Sequence, residues 1–404
     1  MPPPVFIYTR GMNIITDEKK IEEIVTRGVE RVFPNEDFLR ARLNTGEQLT
    51  IYLGIDPTGP TLHMGHIIPL IKLSQLQKLG HKIILLIGDF TARIGDPDKS
   101  QARTPLTHEQ VLENAKLYQE QASNILNFEG ENPAELKYNG EWLDAMNFAD
   151  VIKLASQMTV QQMLNRDMFK KRIQEESPIY LHEFMYPLMQ GYDSVMMNVD
   201  GEVGGNDQTY NMLVGRDLMK NQTPPKEKFV IPMKLLVDSN GDKMGKTTGN
   251  MLSLLDSANE KFKKVMTWSD DMLMLGFELL TNVDLKTIQS RIDENENPRD
   301  IKFDLAAAII TIFHSADDAV SAKESWVNEV QQDNKPQDIP EINISLDQGI
   351  INTLRAGIGE SKSQMKRLLD EGAVKREGER LTEESLLTSG DTIQIGKKRW
   401  FKIK

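Results

Sequence analysis

The chain has 404 residues, of which 39% are hydrophobic and 27% charged, with a formal net charge of −12 and no cysteine. This length suits two or three domains, and the composition is that of a chain with a substantial core. The balance argues against a surface that coats nucleic acid throughout, the missing cysteine excludes disulfides, thiolate metal sites and cysteine nucleophiles, and no run approaches the about 18 apolar residues of a membrane-spanning helix.

The opening Met1-Pro2-Pro3-Pro4-Val5-Phe6 is too short and proline-rich for a secretory signal. Residues 1–11 are expected to be an extension without a fold role, since Met12 is the more natural start. A cytoplasmic location is expected. Residues 17–33 carry Ile21, Ile24, Val25, Val29 and Val32 at near-helical spacing, which predicts an amphipathic helix. Leu49 to Ile55 is strand-like, and the breaker cluster Asp56-Pro57-Thr58-Gly59-Pro60 leads into an amphipathic stretch ending at Leu79. Lys82 to Ile87 is a second apolar strand, so a parallel strand–helix–strand unit is expected, with its ligand crevice at the strands' carboxyl ends. Asp56-Pro57-Thr58 and the stretch Gly88 to Asp96 fall at that edge. Helices are predicted over 107–127 and 147–174, and strands over Val195 to Val203 and Phe229 to Val237, the latter ending in a turn at 238–241. From Leu252 to Val330 the pattern is helical throughout, with a clear start at Asn297-Pro298. Residues 331–342 are polar with two prolines and suit a linker. The last sixty or so residues are expected to form an α+β unit, with a helix over 361–369 and strands over 392–395 and 400–403.

Two short motifs carry chemistry. His63-Met64-Gly65-His66 places two imidazoles and a glycine at a helix start after a strand, where backbone N–H groups favour anions. Such imidazoles can donate hydrogen bonds to a phosphate, and Gly65 leaves room for a base or ribose to approach. A zinc site would need a third ligand, and a plain helix cap is the bland alternative. Lys243-Met244-Gly245-Lys246-Thr247 follows a predicted strand and turn, and suits a clamp of point charges closing on a polyphosphate. It lacks the upstream glycine of a Walker A loop. Tyr186, Gln190 and Asp193 are spaced by four and three, so they share one helix face among apolar neighbours.

Together the two motifs resemble the paired signatures of class I aminoacyl-tRNA synthetases. The chain from about residue 16 is similar to the bacterial tyrosyl-tRNA synthetases in particular. The resemblance is carried by Tyr52-Leu53-Gly54-Ile55-Asp56-Pro57-Thr58, Ile94-Gly95-Asp96-Pro97 and the Tyr186, Gln190, Asp193 set. Gly204-Gly205-Asn206-Asp207-Gln208 and Asn297-Pro298-Arg299-Asp300 add to it. The second signature departs from the commonest K-M-S-K-S form at Gly245 and Thr247, and the loop after Asp96 is one residue shorter than usual.

The resemblance implies a Rossmann-like parallel-sheet catalytic domain over 1–247 with a helical insertion at about 105–185. It also implies an all-helical anticodon-binding domain over 248–330 and a C-terminal α+β RNA-binding domain over 343–404, of the type first known from ribosomal protein S-four. It implies activation of L-tyrosine by ATP, with Mg2+ accompanying the nucleotide and pyrophosphate and no dedicated protein metal site, then transfer to tRNA(Tyr). A homodimer without membrane association is implied as well. In residues, Tyr52 and Asp193 hold the phenol, while Asp96, Tyr186 and Gln190 hold the ammonium. Gln208 lies near the carboxylate, and Gly54, Asp56, Gly65, Gly205, Asp207 and Lys246 meet ATP. Asn139 borders the adenylate, and Lys99 and Arg103 grip pyrophosphate. Thr58, His63, His66, Lys243, Lys246 and Thr247 stabilise the departing phosphates. The phenol pair can be argued physically, since a phenol both donates and accepts whereas an indole only donates. A tryptophanyl relative, an RNA-binding paralogue without catalysis and a plain nucleotidyltransferase are the alternatives. Arg355, Lys362, Lys366, Arg367, Lys375 and Arg376, with the basic tail around Trp400 and Phe401, suit RNA read through its phosphates, or else a solvated basic face.

Overall fold

The structure, a computed structural model, describes residues 13–96, 106–237, 252–331, 339–342, 349–358, 360–396 and 399–404. Five parallel strands form one sheet: β1 (Thr50–Ile55), β2 (Lys82–Ile87), β3 (Glu135–Tyr138), β4 (Gly201–Gly205) and β5 (Phe229–Met233), in the order β3-β2-β1-β4-β5. β2 and β5 read as nearly unbroken apolar runs because a parallel sheet is covered on both faces. The chain leaves β1 toward β2 and β3, then returns to the other side for β4 and β5. The β1/β4 boundary is therefore the topological switch point, where such sheets open a crevice beyond their carboxyl ends.

Several elements match the expected pattern closely. β2 spans Lys82–Ile87 as predicted, and the helix opened by the first motif runs Met64–Lys78. Helix Pro298–Phe313 starts as the sequence indicates, with Asn297 accepting from the Arg299 N–H at 3.1 Å. Others differ for visible reasons. The first helix covers only Glu18–Thr26, because Gly28 turns the chain at φ +67°. Residues beyond it bridge the outer strand β5, Val29 to Met233 and Phe33 to Val230. Pro232 is tolerated in β5 because that strand lies at the sheet's edge. The strand expected to begin at Val195 begins at Gly201, since Val195 and Met196 complete helix Met185–Met196. Stretch 107–127 divides into His108–Ala115 and Tyr118–Ala122, and 147–174 into Phe148–Ala155, Val160–Met163 and Asp167–Gln174. Thr107, Asn147 and Thr159 cap three of these starts.

The chain divides into two compact units, Met1–Ser257 with Lys264–Ser315, and Ala258–Lys263 with Ala316–Lys404. In the first, the Arg27 guanidinium donates to the Phe277, Thr281 and Val283 carbonyls at 2.8, 2.8 and 2.9 Å. It thereby satisfies the carbonyl end of helix Leu273–Leu280. In the second, helices Gly349–Ile358 and Lys362–Asp370 accompany a mixed sheet of five short strands between Glu341 and Ile403. Its core gathers Leu354, Met365, Leu369, Val374, Ile393, Ile395 and Ile403.

Candidate active site

β1 ends in the loop that carries Asp56 and Thr58, and Leu62 then delivers the chain to the start of helix Met64–Lys78. His63 is its N-cap, and its Nδ1 accepts from the Gly65 N–H at 3.2 Å. His66 reaches back so that its Nδ1 accepts from the His63 N–H, also at 3.2 Å. The two rings stack with centroids 4.0 Å apart. With both Nδ1 atoms accepting, each neutral ring carries its proton on Nε2, as a donor. Two of the helix's terminal N–H groups are thus capped by the imidazoles themselves rather than left for an anion. Gly65 has a steric reason, because a Cβ there would lie 3.0 Å from the His63 ring.

The second motif, Lys243 to Thr247, lies outside the described residues, as do Lys99 and Arg103. Its downstream flank is described: Ser253 bridges His63, and the Leu254 N–H donates to the Leu62 carbonyl at 3.4 Å. The chain leaving the second motif is therefore tied to the first.

The loops after β1, β2 and β3 share one polar network at the crevice. Asp56 accepts from the Thr91 hydroxyl at 2.7 Å and from the Tyr186 hydroxyl at 2.8 Å. Gly88 allows this, since a Cβ there would fall 2.1 Å from an Asp56 oxygen. Asn139, fully buried, donates to Thr91 at 3.1 Å and to Asp193 at 3.2 Å, and accepts from the Phe90 N–H at 2.9 Å. It braces the Asp193 carboxylate. Trp142 Nε1 donates to the other Asp193 oxygen at 2.8 Å. Burial pushes the Asp193 carboxyl well above its ordinary range, while the Trp142 and Asn139 hydrogen bonds pull the other way. Burial likewise raises the Tyr52 phenol, with the Glu202 and Asp193 charges adding to it. Tyr186 is raised by burial and by Asp56 and Asp96. Both phenols stay neutral and keep a proton to donate.

The three residues assigned to the ammonium do not bond to one another. Tyr186 serves Asp56, Gln190 donates to Glu202 at 3.0 Å, and Asp96 accepts from Arg166 at 2.7 Å and from Gln208 at 2.8 Å. Tyr52 meets Ser194 at 2.9 Å. Gly205, the last residue of β4, and the exposed Asp207 just past it stand at the switch point, where a Cβ on Gly205 would fall 2.4 Å from an Asp207 oxygen. Gly54 is the one exposed position of β1, and Thr58 is exposed in the loop that follows.

Ser194, Glu202, Arg166 and Thr91 bond to residues of the predicted set, and Lys228 bonds to Ser194 and Glu202, yet the motifs did not point to them. A signal existed for two: Glu202 sits within an otherwise apolar strand, and Lys228 immediately precedes another. In the C-terminal unit several of the named cations are paired at the surface. Arg376 meets Asp391 at 3.0 Å, Lys366 meets Glu383 at 3.1 Å, and Arg367 meets Glu371 at 3.5 Å.

A family model described as tRNA synthetases class I (W and Y) matches residues 44–331. A tyrosine–tRNA ligase of Carboxydothermus hydrogenoformans is 41% identical, with the alignment covering 96% of this chain and 98% of that relative. One from Bordetella avium is 42% identical over 96% of this chain and 97% of its own. Among solved structures, a C-terminally truncated mitochondrial tyrosyl-tRNA synthetase of Aspergillus nidulans superposes with a TM-score of 0.63. It shows 24% identity and covers 76% of this chain and 92% of its own, which is a likeness of fold.

Proposed function

Because the chain belongs to the tyrosine–tRNA ligase family of class I tRNA synthetases, we propose that it activates L-tyrosine with ATP and transfers it to tRNA(Tyr). The tyrosine carboxylate attacks the α-phosphate in line, breaking the bond to the leaving pyrophosphate and forming a mixed anhydride. A terminal ribose hydroxyl of the tRNA then attacks the tyrosyl carbonyl and releases AMP. No side chain acts as a nucleophile. Mg2+ enters with ATP as part of the substrate and leaves with pyrophosphate.

The observation that carries this reading is the stacked His63–His66 pair, whose Nδ1 atoms each accept a backbone N–H beside the β1/β4 switch point, which leaves Nε2 as the atom to donate. Charge grows on the departing phosphates in the transition state, and fixed donors stabilise that growth more than they stabilise the ground state. Thr58, Lys243, Lys246 and Thr247 are assigned to the same task, and Lys99 and Arg103 to the pyrophosphate. Gly54, Asp56, Gly65, Gly205 and Asp207 receive ATP. Tyr52 and Asp193 receive the phenol, Asp96, Tyr186 and Gln190 the ammonium, and Gln208 the carboxylate. Tyr52, Asp193, Asp96, Tyr186, Gln190 and Gln208 each also bond to a protein partner, which orients them. Asn139 is assigned to the border of the adenylate pocket, and its amide also supports Asp193.

His66→Ala is expected to slow tyrosyl-adenylate formation by about 100-fold to 1,000-fold in a single turnover, the usual loss for one transition-state donor. An unchanged rate would remove the imidazole pair from the chemistry. The helical region and the C-terminal unit are assigned to tRNA, the latter through Arg355, Lys362 and Lys375 with the tail around Trp400 and Phe401. A homodimer is proposed as well, supported by large apolar side chains exposed between Phe148 and Met196. A cytoplasmic location is consistent with the want of any helix, among the described residues, long and apolar enough to cross a membrane.

A further inference from the structure

A buried ion pair lies next to the assigned tyrosine site, and the adenylation chemistry makes no use of it. Lys228 and Glu202 are 0% and 2% exposed and bond directly to one another. Glu202 stands on β4 in register with Tyr52 on β1, so the two are side-by-side neighbours in the sheet. The Lys228 ammonium also donates to the Ser194 hydroxyl at 2.7 Å and lies 5.6 Å from the centre of the Tyr52 ring. Ser194 Oγ is 2.9 Å from the Tyr52 hydroxyl, and the Gln190 amide donates to Glu202 at 3.0 Å. Space for this cluster is made by Gly215, where a Cβ would come 2.6 Å from Lys228 Nζ and 2.7 Å from Ser194 Oγ.

We propose that the Lys228–Glu202 pair sets the polarity of both ends of the tyrosine site, acting through Ser194 and Gln190 as positioning residues. The proposal rests on the assignment of Tyr52 to the phenol and Gln190 to the ammonium. A lysine has donors only, so the chain of hydrogen bonds is rooted at a donor. Its charge polarises the Ser194 hydroxyl, making it a stronger donor and a weaker acceptor. The Ser194 proton then lies on the bond to Tyr52, and the Tyr52 proton is left for the substrate phenol oxygen. The substrate's own hydroxyl donates to Asp193. At the other end the ionised Glu202 only accepts, so it takes the Gln190 NH2 and leaves the amide oxygen for the substrate ammonium. Stability alone does not account for the pair, since apolar side chains of similar volume often serve a core as well or better.

The test is a cycle of variants against ligands in the full chain, reading the KM for tyrosine in ATP–pyrophosphate exchange and the inhibition of that exchange by two analogues. The ligands are tyrosine, phenylalanine, which lacks the hydroxyl, and 3-(4-hydroxyphenyl)propionate, which lacks the ammonium. Ser194→Ala is expected to lower the preference for tyrosine over phenylalanine about tenfold, the loss of one hydrogen bond, and to leave the preference over the propionate unchanged. Lys228→Met with Glu202→Leu, which removes both charges together, is expected to lower both preferences. Equal weakening of all three ligands would mean loosened packing and would overturn the proposal. Ser194→Ala leaves the ion pair intact, so the proposal remains testable even if the double variant does not fold. Tyr52→Phe separates the phenol assignment from the relay through Ser194. If it leaves the hydroxyl preference intact, the phenol assignment fails. If it abolishes that preference while Ser194→Ala does not, the relay fails and the assignment stands.

Discussion

His81 is sealed at the start of β2, where its Nδ1 accepts the Leu49 N–H at 3.3 Å. Burial holds its pKa down at about 4, from an ordinary value of 6.5. The unfolded chain therefore binds a proton between those values that the folded chain does not. The stability owed to the neutral ring is complete above pH 6.5 and is lost as the pH falls toward 4. Over that window His81 alone removes about 3 kcal/mol. His81→Asn keeps an acceptor for Leu49 and is expected to flatten the acid limb of a urea-denaturation series against pH. An identical limb in the variant would contradict the account. At the same scale, Asp56, Asn139, Tyr186 and Asp193, named from the sequence, take part in the polar network at the crevice. Ser194, Glu202 and Lys228 act on other side chains instead of on a ligand, and no local spacing reveals such partners from three separate elements.

At the scale of elements, the sheet's centre was the most legible part of the fold. β1 and β2 are apolar runs bounded by glycine, proline and aspartate, and a fully covered strand admits little else. β3 carries no such signal, because Glu135-Leu136-Lys137-Tyr138 is short, half-buried and at an edge, so nothing forces it to be apolar. The β-branched Val195 favours a strand locally, yet packing of its helix decides the matter. Helix Phe148–Ala155 presents a different signal. Phe148 and Ile152, one turn apart, are 80% and 53% exposed. A face of that kind is costly in water, and a second copy of the chain is the proposed cover. Phe148→Glu with Ile152→Glu is expected to shift sedimentation from dimer to monomer. A monomeric parent chain, or a variant that stays dimeric, would set this face aside.

At the scale of the whole molecule, the parallel sheet and the C-terminal mixed sheet are separate compact units with separate cores. Their proposed tasks are likewise separate, small-molecule chemistry in one and RNA in the other. Deleting residues 343–404 is expected to leave tyrosine-dependent exchange near the parental rate and to reduce tRNA charging at least tenfold. Equal charging by the shortened chain would remove the RNA role from that unit. The identity of the amino acid is tested most directly by ATP–pyrophosphate exchange run with tyrosine, with tryptophan and with no amino acid. Exchange with tyrosine alone is the predicted result; exchange with tryptophan alone, or none with any amino acid, would contradict it.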